Sequence, residues 1–186
     1  MHKEETYQDG TRFEFGTKAL QRNSVKDWDA IRLSAQKGDL GAIPADVYIR
    51  CYNQLSRIQS DFAVAPAIER SCIVYWGPTG TGKSRTAWEQ AGMEAYVKDP
   101  LTKWWCGYRG QPFVIIDEFR GIINISHLLR WLDRYPVRVE TKGSSQPLLA
   151  VKFWITSNLE PSQWYPELDA KTLEALLRRL VIINLN

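Results

Sequence analysis

From about residue 70 onward, short and mostly apolar runs recur at intervals, separated by polar or amphipathic stretches. Ile73-Val74-Tyr75-Trp76, Phe113-Val114-Ile115-Ile116, Val151-Lys152-Phe153-Trp154-Ile155-Thr156 and Val181-Ile182-Ile183 all have strand length. A run with little polar alternation is what a strand covered on both faces requires. The stretch after Ser84 is helix-forming, and Ile125 to Leu132 and Leu173 to Leu180 read as helices too. Strands alternating with helices predict an α/β layer around a largely parallel central sheet. Val137-Arg138-Val139-Glu140 instead alternates at period two and is followed by the turn Thr141-Lys142-Gly143-Ser144-Ser145,.

The earlier part of the chain has a different pattern. Residues 1–23 are polar and poor in periodicity. Ser24, with Asp27 three positions on, is an N-cap signal, after which Trp28, Ile31 and Ala35 recur at helical spacing until Gly38,. A second helix is predicted from Ala45 to Ser60, with Val47, Cys51, Leu55 and Ile58 on one face,. Two short amphipathic helices cannot bury both faces alone. The expected organisation is a linker over 1–23, a helical region over 24–65 and an α/β domain over 66–186.

Chemistry enters where the first strand ends. Gly77-Pro78-Thr79-Gly80-Thr81-Gly82-Lys83-Ser84 is a complete phosphate-binding loop between a predicted strand and a predicted helix,. The glycines allow successive N–H groups to turn inward at a helix N-terminus, whose dipole favours anions. Lys83 adds a point charge for the β- and γ-phosphates, and the Ser84 hydroxyl is a ligand for Mg²⁺. ATP with Mg²⁺ is the expected ligand, and the fold class becomes a P-loop NTPase with a small N-terminal helical appendage.

The strand Phe113–Ile116 runs into Asp117-Glu118. Neighbouring side chains on a strand face opposite ways, so Asp117 is assigned to the metal and Glu118 to polarising the attacking water. Asn158 follows the third strand, where a neutral amide could contact the γ-phosphate without adding repulsive charge,.

The order of phosphate loop, strand ending in Asp117-Glu118, Asp133-Arg134-Tyr135-Pro136 to Val139-Glu140-Thr141-Lys142-Gly143, then Ile155-Thr156-Ser157-Asn158 resembles the superfamily 3 helicase domain of viral replication-associated proteins. Those of circoviruses and related circular single-stranded DNA viruses are the nearest in pattern. Lys103-Trp104-Trp105-Cys106-Gly107-Tyr108 is also similar, with Cys106 where an acid is expected. The resemblance spans Ile73 to Asn186.

It implies an AAA+-like ATPase that assembles as a homo-oligomeric ring, usually hexameric, around single-stranded DNA in the host nucleus, with residues 24–65 as the oligomerisation collar. It also implies a channel-facing hairpin whose Lys maps onto Lys142. Gly143 and Ser144 stand beside it in a turn rich in phosphate-contacting donors. Each active site in such rings is completed by an Arg from the neighbour, for which Arg178 and Arg179 are both candidates. Two adjacent residues on a helix point about 100° apart, so only one of them can serve.

His2-Lys3-Glu4-Glu5-Thr6 and Phe13-Glu14-Phe15-Gly16-Thr17 resemble the end of the rolling-circle endonuclease domain that precedes the helicase in this family. That nuclease needs a His-x-His pair, whereas the histidines here are His2 and His127, so no nicking activity is expected.

Composition narrows the picture modestly. A net charge of +3 over 186 residues is too small for a uniformly cationic nucleic-acid coat and fits charge focused on one face or channel,. Cys51, Cys72 and Cys106 have no metal-ligand spacing and suit a reducing compartment,. No apolar stretch approaches the roughly 20 residues of a membrane span. The rival readings are a superfamily 3 RNA helicase or remodelling ATPase, and a P-loop nucleotide kinase.

Overall fold

The computed structural model describes residues 26–186. The polar segment 1–23, with the nuclease-like residues His2 and Lys3, and the Ser24 cap lie outside the described residues. Helix α1 spans Trp28–Lys37 and is capped by Asp27, whose carboxylate accepts the Ala30 N–H at 2.9 Å. It ends at Gly38, in the left-handed conformation that only glycine adopts cheaply,. Helix α2 spans Ala45–Phe62, two residues longer than the spacing suggested, and is interrupted by non-helical backbone at Cys51. The two helices share a small core of Ile31, Ala35, Ile43, Val47 and Leu55.

The central layer is a five-stranded sheet in the order β2-β3-β6-β1-β7, parallel throughout. Its strands are β1 (Ser71–Trp76), β2 (Tyr96–Val97), β3 (Phe113–Ile116), β6 (Lys152–Ser157) and β7 (Leu180–Asn184). The expected α/β class with a largely parallel sheet is therefore observed. Side chains alternate between two covered faces, as unbroken apolar strands demand. Val74, Ile116 and Ile155 face one core with Leu128, Trp131 and Leu176, whereas Tyr75, Ile115 and Trp154 pack on Ala87 and Ala91 of helix α3 (Lys83–Ala91). The first of these cores also holds residues of helices α4 (Ile125–Trp131) and α5 (Ala170–Leu177). Strand β2 was not anticipated, because two residues are too few to carry a period.

Strands β4 (Arg138–Thr141) and β5 (Ser144–Pro147) form a separate antiparallel hairpin whose turn is Lys142-Gly143. The turn is tighter than the five-residue one expected, since Thr141 and Ser144 pair with each other. Arg138 ties the hairpin to the end of α2 by donating to the carbonyls of Ala63 at 2.6 Å, Ser60 at 2.7 Å and Ser145 at 2.8 Å. Arg70, just before β1, grips the flanking strand connections through the carbonyls of Leu148 at 2.9 Å and Ala150 at 3.1 Å.

The aromatic segment 104–108 divides between core and surface. Trp105 and Tyr108 are buried and Trp104 is half-buried. Beneath them lies Lys98, fully buried, its ammonium donating to the carbonyls of Asp99 and Thr102 and lying 5.9 and 5.4 Å from the ring centroids of Trp105 and Trp131. Burial lowers its pKa to about 8,. No helix among the described residues is long and apolar enough to cross a membrane.

Candidate nucleotide site

The strand order brings the ends of β3, β6 and β1 side by side. Trp76 pairs with Ser157 and Ile116 with Ile155, so the phosphate loop, Asp117 and Asn158 leave the same edge of the sheet as neighbours. This is where ligands bind in open α/β sheets.

The loop has two kinds of glycine. Gly80 and Gly82 have φ of 90° and 84° with open space where a Cβ would lie, leaving a cradle that a side chain would fill. Gly77 answers to packing instead, because a Cβ there would come within 2.2 Å of the Leu185 carbonyl beyond β7. Thr81 closes the loop by donating to the Pro78 carbonyl at 3.0 Å.

Lys83 opens α3 and is 8% exposed. Its ammonium donates to the carbonyls of Gly77 at 2.9 Å and Pro78 at 2.6 Å, so the charge rests on the loop's own backbone. The Ser84 hydroxyl donates to Asp117 Oδ1 at 2.7 Å. Thr156 also donates to Asp117 Oδ1, and its oxygen accepts the Glu118 N–H at 2.9 Å. Glu118 is exposed toward the cleft with φ of 53°, a left-handed conformation costing about 1–2 kcal/mol for a residue with a side chain,. Thr79, Gly80, Lys83, Ser84, Glu118 and Asn158 line a cleft of about 290 Å³.

These donors fit a magnesium–nucleotide complex. Ser84 and Asp117 would offer two hard oxygen ligands, which suits an ion that keeps waters and shares phosphate oxygens rather than sitting in a protein cage,. Among the described residues no cluster of three or more His, Cys, Asp or Glu could hold a metal by itself. The open glycine cradle and the adjacent Lys83 match a polyphosphate,.

The other expected site residues lie elsewhere. Lys142 is exposed at the hairpin tip beside Gly143, whose φ is 85°. Ser144 is engaged at home, its hydroxyl 3.1 Å from that of Ser60 in α2. Arg178 and Arg179 were expected within a helix through Leu180, but α5 ends at Leu177. Asp169 caps it early, accepting from Lys171 and Thr172, and Leu180 must be extended to pair with Cys72. Arg178 is the exposed C-cap, and its guanidinium makes no side-chain bond among the described residues. Arg179 binds Asp133 Oδ2 at 2.7 Å and the Ala175 carbonyl. Both arginines line an opening of about 610 Å³ with Arg70, Asp133 and Arg134 at the opposite end of the sheet from the phosphate loop.

Sequence reasoning passed over two residues of the site. Thr156 closed the expected third strand and Ser157 led from it to Asn158, neither with a role of its own, yet both are buried polar groups with hydroxyls bonded to the acidic turn. The available signal was polarity at the end of an otherwise apolar run, since a buried hydroxyl must find a partner.

Fold and site together define a P-loop NTPase of the superfamily 3 helicase type, and residues 73–159 match a family described as RNA helicase. The chain carries a circovirus-like replication-associated helicase domain. It is 48% identical over 105 residues to the replication-associated protein of Porcine circovirus 2, covering 56% of this chain and 33% of that protein. Identity is 33% over 152 residues with the replication-associated protein of Canary circovirus, covering 81% and 51%. For that of Human associated cyclovirus 1 it is 34% over 161 residues, covering 81% and 57%. The chain thus spans between a third and just over half of the length of these relatives.

Proposed function

We propose that this domain hydrolyses ATP with Mg²⁺ at subunit interfaces of a homo-oligomeric, hexameric ring and uses the energy to move along single-stranded DNA during viral genome replication in the host nucleus. The observation that supports this most is the Ser84 hydroxyl bonded to Asp117, with Ser84, Lys83 and Glu118 lining one cleft. In this reading Lys83 exchanges two loop carbonyls for phosphate oxygens, and Ser84 and Asp117 hold the metal. Bound Mg²⁺ would supply positive charge at the phosphate oxygens. Glu118 accepts a proton from the attacking water, while Asn158 orients the terminal phosphate. Binding without turnover would need no such exposed carboxylate beside the metal ligands.

The decisive experiment is ATPase rate against protein concentration, with and without single-stranded DNA. A per-subunit rate that rises cooperatively with concentration and with DNA is the expected result. A DNA-indifferent, concentration-independent rate would replace the ring motor by a monomeric phosphotransferase or remodelling ATPase. Stimulation by single-stranded RNA instead of DNA would favour the RNA-helicase alternative.

The exposed turn Lys142-Gly143 is the proposed track-binding element, with Ser144 at its base. Lys142→Ala should leave ATP binding intact and weaken DNA binding. The slope of log affinity against log salt should become shallower by about 0.7 for each phosphate of the single strand that Lys142 neutralises in the wild type. An unchanged slope would remove Lys142 from the DNA surface.

A further inference from the structure

Thr156 makes three bonds to three consecutive residues of the acidic turn. Its hydroxyl donates to Asp117 Oδ1, the same oxygen accepts the Glu118 N–H at 2.9 Å, and its carbonyl accepts the Phe119 N–H at 2.8 Å. The register explains the meeting. Ile116 pairs with Ile155, so one step further along both strands sets Asp117 beside Thr156. Thr156 is 1% exposed, so no solvent competes for its hydroxyl. Glu118, whose carboxylate reaches the cleft, has the only positive φ of any non-glycine residue among the described residues.

A left-handed backbone at a residue with a Cβ persists only where its surroundings over-determine it. At Glu118 itself the hydrogen bond comes from the Thr156 hydroxyl, and the residues on either side are held by the Thr156 carbonyl, Ser84 and Ser157. Relaxed toward ordinary φ, the turn would carry the Glu118 carboxylate away from the line of Ser84 and Asp117. We propose that Thr156 is a positioning residue whose hydroxyl holds Glu118 in its strained conformation and joins it to the metal-binding carboxylate. Ser157, the next residue, serves a different end. Its hydroxyl donates to the Phe119 carbonyl at 2.7 Å and accepts from Trp164 Nε1 at 3.0 Å, which is packing of the turn against the following loop.

This rests on the nucleotide-site reading for its consequence, but its first test needs no nucleotide. Thr156→Val keeps the shape and deletes the hydroxyl. In the nucleotide-free protein, amide exchange followed by NMR should speed up about tenfold at Glu118, whose N–H loses its acceptor. The Phe119 amide, bonded to the Thr156 carbonyl, should keep its protection.

In hydrolysis assays kcat should fall roughly 10- to 100-fold, the scale of a misplaced reacting group, with KM for ATP within about threefold of wild type. Thr156→Ser should restore both readouts. Equal Glu118 exchange and kcat in wild type and Thr156→Val would overturn the assignment, as would a loss that Ser fails to rescue. Should Thr156→Val not fold, Thr156→Ala against Thr156→Ser makes the same one-hydroxyl comparison. If wild type hydrolyses no ATP, the functional reading fails while the exchange result still decides whether Thr156 holds the turn.

Discussion

Lys83→Ala should reduce ATP hydrolysis by about 10²- to 10³-fold, the cost of deleting a preorganised charge from a water-excluded site. Affinity should fall as well, because a hydrogen bond to a charged group contributes about 1.5–3 kcal/mol, or roughly 10- to 100-fold in Kd. The structure adds a second effect. Lys83 is buried and satisfies the carbonyls of Gly77 and Pro78, so the alanine variant also loosens the loop before any nucleotide arrives. Lys83→Met also loses these donors but keeps the apolar stem, so any difference between the two variants reports the packing of that stem. Turnover near the wild-type level in both variants would remove the phosphate-site assignment altogether.

Arg178→Ala should cost about 10³- to 10⁵-fold in turnover, the usual contribution of an arginine acting on the γ-phosphate from outside. Within one subunit Arg178 cannot reach the site. It precedes Leu180, which pairs with Cys72, and the phosphate loop begins five residues up β1, about 16 Å away at ~3.3 Å per residue,. Any action must therefore be on a neighbour. Arg179 is already committed to Asp133 and the Ala175 carbonyl.

Arg179→Ala should leave turnover per folded subunit near wild type and lower stability by about 1 kcal/mol. Arg179 holds the Asp133 carboxyl below its ordinary value of 3.8. The pair therefore stabilises the fold above that pH and stops doing so as pH falls through the lowered folded value. The Arg179→Ala protein should show a weaker acid dependence, keeping only the part that the Arg134 N–H and guanidinium supply. Mixing Lys83→Ala with Arg178→Ala subunits should recover activity that neither has alone, because each mixed interface can join an intact loop to an intact arginine. Absence of recovery, or a large kcat loss in Arg179→Ala with none in Arg178→Ala, would reverse these roles.

The phosphate loop, the strand Phe113–Ile116 and the acids after it were legible because each is a local pattern. Backbone state follows from residue spacing over a few positions, and the loop's chemistry is written in eight consecutive residues,. Helix ends were less legible. The spacing of leucines ran the last helix from Leu173 through Leu180, but the Asp169 cap starts it at Ala170 and the demand of β1 for a partner strand ends it at Leu177.

By itself, then, the sequence determined the α/β class, the glycine-rich loop between a strand and a helix and the place of the acidic pair after a strand, all of which depend on neighbours in the chain. Only the tertiary structure decided which side chains meet across elements. Strand register brought Thr156 to the Asp117-Glu118 turn, a meeting across 39 and 38 residues. Asp133 distinguished Arg179 from Arg178 across 46 residues. Burial made Lys98, on which the sequence pattern gave no reading, a cation enclosed by two tryptophans and two carbonyls. Such partners are set by how strands order and crossovers pack, and periodicity along one segment carries no record of the segment it will lie against.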